Sequence, residues 1–225
     1  MTLARGRFTD LRHVAYPDEG SDCVSGASYR AQVPSATAAV PARVGITAVL
    51  VAAVAAFAFA SPADGGSRAW SAYLAPAGAC KGSTDAGASA AAQQRAVACL
   101  MNWARVRANR GKLATSASLR RAAGLKGKKV ASCHELSHTP CGSNLIGPLQ
   151  ASGYRYSSFG ENLYVGPWGS VTPRDVVSAW LQSSGHRENI LRPGFRHMGA
   201  ALVRGEGILN EGAEAVWTAT FASPR

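Results

Sequence analysis

Three short runs in the C-terminal half place reactive side chains at wide separation: Ser137-His138-Thr139, Gly160-Glu161-Asn162-Leu163 and Gly185-His186-Arg187-Glu188-Asn189-Ile190-Leu191. Between them they offer two imidazoles and a carboxylate. His138, Glu161 and His186 can serve as three ligands for a divalent cation such as Zn²⁺, leaving one position for water. They can equally work as an acid/base set. A third reading is a network that only locks loops together, since buried polar groups need partners whatever their function. Hydrolysis would use the lowered pKa of a metal-bound water, yet no separate general base is evident. No nucleophile is evident either, because neither Ser137 nor Ser183-Ser184 sits in a strand–turn–helix elbow. If the chain is an enzyme, His138, Glu161 and His186 are its catalytic candidates. Trp168, between Pro167 and Gly169, and Tyr154 and Tyr156 are candidates for an aromatic rim that could stack on sugars or cover lipid chains.

Such groups meet only if elements hold them. Val97, Leu100, Met101, Ala104 and Ala108 recur at spacings of three and four, which predicts a helix from about Ala90 to Arg110, stopped by Gly111. Ser116 or Ser118 caps a second helix that turns Leu119, Ala122 and Ala123 inward. Gly124 and Gly127 are expected to weaken its end, each costing about 1 kcal/mol relative to Ala. A short third helix falls around residues 143–152, interrupted at Gly147-Pro148. The fourth has Thr172 as cap, Pro173 at the first helical position and Asp175 in the first turn. Val176, Val177, Trp180 and Leu181 share its inner face. His186 then lies in a loop. Met198 to Arg204 and Ala215 to Phe221 read as strands, the second covered on both faces, and Leu163-Tyr164-Val165 as a third strand that Glu161 enters. Helices flanking a small, mostly antiparallel sheet, an α+β arrangement, fit this pattern.

The order and wording of the three runs resemble the CAP superfamily (the cysteine-rich secretory, antigen 5 and pathogenesis-related 1 proteins). The likeness is to its bacterial secreted branch, with SH, GEN and HRxNIL signatures, over about residues 95–221. It implies a three-layer α-β-α sandwich and a cleft whose two histidines, here His138 and His186, can hold a divalent cation completed by acidic groups. Glu161 carries over onto the GEN run. A fourth acidic member does not: no Asp or Glu lies between His138 and Glu161, and Cys141 stands where bacterial relatives often place an acid. Glu135 would substitute only if its loop bent inward. The leading expectation is an exported protein that binds a lipid or cell-envelope ligand in the cleft. The alternatives are a metal-dependent hydrolase acting on peptide or envelope substrates, and a structural or signalling surface protein.

Composition bears on compartment and partners. Lys and Arg number 24 against 13 Asp and Glu, a net charge of +11. Arg105 to Lys129 holds nine basic residues and no acid, so a solvated basic face or a contact with anionic wall polymer or lipid is expected. Nucleic acid is not expected, because no recognition motif accompanies the charge. Residues 44–60 are uncharged, follow Arg43 and end in Ala58-Phe59-Ala60. They read as the apolar core of a signal peptide, short of the roughly 20 residues a span needs. The alternative is an uncleaved anchor, giving membrane contact with the domain outside. Residues 1–43 read as a disordered tail or an upstream mis-start, 61–90 as an Ala/Gly/Ser/Pro linker, and 91–225 as the domain. Cys80, Cys99, Cys133 and Cys141 follow the export segment, an even number suited to two disulfides. Three connectivities are open; Cys133–Cys141 with Cys80–Cys99 is the favoured one. A zinc site of Cys133, Cys141 and His138 is the rival.

Overall fold

The computed structural model describes residues 70–225; the expectations for residues 1–43 and 44–60, and for 61–69 of the linker, lie outside the described residues. Among the described residues no helix is long and apolar enough to cross a membrane. The elements run α1 (Ala90–Arg107), β1 (Ala114–Thr115), α2 (Ala117–Cys133), a 3₁₀ turn (Pro140–Gly142), α3 (Gly147–Ala151), β2 (Tyr156–Pro167), α4 (Pro173–Gln182), α5 (Ser184–Leu191), β3 (His197–Glu206) and β4 (Ala213–Pro224).

The strands form one sheet in the order β1-β3-β4-β2, with β1 parallel to β3 and the remaining pairs antiparallel. Helices α2 and α3 cover one face, and α1, α4 and α5 cover the other. The fold is therefore an α+β sandwich of three layers. β4 lies between β3 and β2 and is buried along almost its whole length, as its partly alternating sequence predicts. The main core lies on the α1/α4/α5 side, where Leu100, Trp180, Ile190, Phe195 and Trp217 are all buried.

Several local expectations change for identifiable reasons. Gly124 and Gly127 do not weaken the end of α2, which continues to Cys133. The helix lies so close to the sheet that a Cβ on Gly127 would stand 3.0 Å from Val203 Cγ2 and 3.4 Å from Thr218 Oγ1. Close packing against β3 and β4 thus offsets the intrinsic cost of glycine. Gly199 makes the same accommodation from the sheet side, since a Cβ there would overlap the backbone of Leu119 and Arg120. Pro148 opens α3 rather than interrupting it, because proline lacks the N–H that the first turn leaves unpaired anyway. β2 is a twelve-residue strand, not a three-residue one, so Glu161 lies inside it. His186 lies on a helix, α5, rather than in a loop. The two-residue strand β1 carries no sequence signal.

Residues 70–90, part of the stretch read as a linker, contribute Ala75 and Cys80 to the main core. Arg174 fastens this stretch: its backbone N–H donates to Ser83 O at 2.8 Å and its guanidinium donates to Ala75 O. The Cys80–Cys99 and Cys133–Cys141 disulfides are both formed. With its thiols joined, the Cys133/Cys141/His138 zinc alternative falls away.

Candidate functional site

β2 is an edge strand, and alternation along it decides what each residue reaches. Glu161 shares a face with Leu163 and Val165, which pack with Val130 of α2. Asn162 and Tyr164 point to the opposite layer, toward α4 and α5. The two histidines come to the edge of β2 from these two sides.

On the α2 side, His134 closes the helix in the left-handed conformation (φ 51°, ψ 38°) and turns the chain sharply. The Cys133–Cys141 disulfide then ties the loop back on itself, and Glu135 Oε2 accepts from Cys141 N–H at 2.7 Å. His138 sits within that loop. Its Nδ1 lies 2.8 Å from Glu161 Oε1, and because a carboxylate only accepts, Nδ1 carries the proton. Lys126 comes up from α2 beneath both. Its ammonium lies 3.4 Å from Glu161 Oε1 and donates to His138 O, with the whole side chain buried.

On the α5 side, Asn162 Nδ2 donates to His186 O at 3.0 Å, while Asn189 Nδ2 donates to Glu161 O and Asn162 Oδ1. Gly160 leaves the room this needs, since a Cβ there would come within 2.5 Å of Asn189 Oδ1. The Gly160-Glu161-Asn162 and His186-to-Leu191 runs are thus two halves of one joint. Ile190 anchors the joint in the core. Arg187 donates to Leu181 O and lies over the Trp70 ring at 3.9 Å. Burial first, and the neighbouring His138 second, lower the His186 pKa to about 4. His186 is therefore a neutral imidazole at pH 7.

The donor chemistry does not fit a cation held by His138, Glu161 and His186 together. Glu161 Oε1 already faces an ammonium and an imidazole N–H, and a divalent cation would have to displace or adjoin a buried positive charge. Among the described residues no group of three His, Cys, Asp or Glu side chains is arranged to hold a metal ion. Glu161 acts instead as the orienter of His138, through the contact at Nδ1. Glu135, engaged with Cys141 N–H, supplies no fourth acid.

The aromatic candidates do not share one rim. Tyr154 and Tyr156 lie at the start of β2, packed with Leu119, Leu149 and Phe159, whereas Trp168 follows its other end. Trp168 lies under Arg204 at 5.7 Å, and Tyr154 Oη is 2.6 Å from His197 Nδ1. The site residue that sequence reasoning missed is Lys126, counted there with the basic surface. Its signal was available: Leu119, Ala122, Ala123, Lys126 and Val130 form the buried stripe of α2 at helical spacing.

Among known proteins, the model of the cysteine-rich secretory protein family, CAP, matches residues 98–221. The chain is 30% identical over 139 residues to YkwD of Bacillus subtilis (strain 168), an uncharacterized protein. That alignment covers 61% of this chain and 50% of YkwD, so the chain spans about half the length of that relative. An extracellular protein containing an SCP domain from Bacillus anthracis is 23% identical (TM-score 0.49; 58% of this chain, 40% of that one). An outer surface protein from Borrelia burgdorferi is 17% identical (TM-score 0.49; 57% of this chain, 90% of that one).

Proposed function

The chain belongs to the cysteine-rich secretory protein (CAP) family, and from that membership we propose that it is an exported protein binding a lipid or cell-envelope ligand at the edge of β2. The ligand is held in the cleft of His138, Glu161 and His186. Two disulfides and the family's secretory character support export. The observation that carries the binding reading is the buried Lys126 ammonium against Glu161. A carboxylate already engaged by an ammonium and an imidazole is a poor cation ligand, but it holds His138 in one orientation. The cleft then offers a ligand two imidazoles, His186 neutral and His138 oriented, beside a carboxylate that is already engaged.

The test is native mass spectrometry of the full chain after incubation with a bacterial envelope lipid extract. The expected result is a lipid-loaded parent and an empty His138→Ala/His186→Ala variant that still melts cooperatively. Equal loading of both would sink the reading. Zinc titration of the same two proteins runs in parallel. Stoichiometric binding lost in the variant would instead favour the metal-dependent hydrolase reading.

A further inference from the structure

A second feature lies apart from the histidine cleft. The turn after α1 and the turn before β3 enclose an open cavity of about 340 Å³. Arg110 and Lys112 come from one wall and Arg196 from the other, with Pro193 and the buried ring of Phe195 between them. Among the described residues no carboxylate pairs with Arg110, Lys112 or Arg196; the neighbouring acid, Glu188, is taken by Arg192 at 2.6 Å.

Arg105 explains why the cavity stays open and positive. Its side chain is 1% exposed and has only backbone carbonyls as partners. Nε donates to Gly111 O at 2.6 Å on one wall. Nη1 donates to Ile190 O at 2.7 Å and Arg192 O at 3.1 Å on the other. One guanidinium thus braces both walls, and its charge meets no carboxylate among the described residues. The Arg105 pKa is lowered by burial first, then by Arg196 and Arg110, so these charges converge on one place.

We propose that this cavity binds an organic phosphate, its oxygens held by Arg110, Lys112 and Arg196 and its carbon portion resting on Pro193. Guanidinium forks match phosphate oxygens, and uncompensated cations at a concave site favour an anion of higher charge. The volume and the exposed Pro193 ring suit a substituted phosphate such as a glycerol phosphate unit, whether in a soluble polymer or in a lipid headgroup. The proposal stands independently of the histidine cleft, and neither depends on the other's test.

The experiment follows backbone amide signals of the full chain during titration with sn-glycerol 3-phosphate at low salt. Phosphatidylglycerol vesicles are tested in a parallel sedimentation arm. The comparison variant is Arg110→Glu/Lys112→Glu, whose replaced side chains make no hydrogen bond among the described residues; thermal melting checks that it is folded. The expected result is saturable shifts at Gly111, Lys112, Phe195 and Arg196, with affinity at least about tenfold weaker in the variant. Variant-sensitive binding of the soluble ester assigns the site to free or polymeric phosphate. Variant-sensitive binding of vesicles alone assigns it to a headgroup. No saturation by about 10 mM ester together with no vesicle binding overturns the proposal. Binding that the variant leaves unchanged overturns it as well.

Discussion

Lys126→Met should be among the most damaging single substitutions at the candidate site, and the reason is the carboxylate it abandons. Lys126 is fully buried, and the Glu161 side chain 3.4 Å away is only 7% exposed. At an effective dielectric of about 20, two unit charges at that separation attract by about 5 kcal/mol. Methionine fills the alkyl space but leaves Glu161 facing only His138, and breaking a buried pair from one side costs about 3–5 kcal/mol. Glu161→Gln, which leaves the ammonium without its counter-charge, should cost a similar amount. The double variant strands no charge and should cost far less than the sum. Urea unfolding of all four proteins at pH 7.5 measures the coupling, expected at about 3 kcal/mol. Additive losses, with coupling below about 0.5 kcal/mol, would refute the claim that Lys126 compensates Glu161. The site would then have to be redrawn with an uncompensated carboxylate, the condition under which a cation ligand becomes reasonable.

Three further outcomes follow from the same structure. The His186 pKa of about 4 lies below its ordinary 6.5, so between those values the unfolded chain binds more protons and stability falls as pH drops through that window. From pH 7.5 to 4.5 the parent should lose up to about 2.5 kcal/mol more than His186→Asn, or about 1–2 kcal/mol once the half-buried ring's solvent contact is allowed for. Equal pH slopes in chelator-containing buffer would contradict this. Opening Cys133–Cys141 by paired serine substitution releases a loop closed over a separation of 8 residues. It should lower stability by about 2.5 kcal/mol on chain-entropy grounds and broaden the His138 ring signals; unchanged signals would mean that the contacts with Lys126, Glu161 and Glu135 hold the loop without the disulfide. Gly199→Ala should leave little folded protein by circular dichroism, because the added methyl overlaps the backbone of Leu119 and Arg120 where α2 begins.

Much of the fold was legible because its signals are local. The helical stripe of α1 and the Thr172/Pro173/Asp175 cap of α4 are written in neighbouring residues, and the cap forms as a full capping box. The order of the three motifs carried the architecture. What escaped depends on contacts distant in sequence. Gly124 and Gly127 cost helix propensity locally, and only their approach to β3 and β4 reverses the sign. The true length of β2 is set by pairing with β4 from Tyr156↔Pro224 to Pro167↔Glu214, which no window of its own sequence reports. The candidate rim failed similarly, because Tyr156 and Trp168 are near in sequence but at opposite ends of an extended strand.

The basic run shows why a charge count is a weak guide to a surface. Read along the chain, Arg105 to Lys129 is one uninterrupted positive field. The fold divides it. Arg105 and Lys126 point inward, one bracing two turns through carbonyls and the other neutralising Glu161. Lys128 and Lys129 remain exposed on α2, whereas Arg110 and Lys112 enter the cavity with Arg196, a residue far along the chain. Any anion that meets this protein therefore meets at least two distinct surfaces. Neutralising Lys128 and Lys129 should weaken only the salt-screened, nonspecific part of retention on anionic envelope material. Neutralising Arg110 and Lys112 should remove the saturable part. Lys126 cannot contribute to either without unmaking the site it supports.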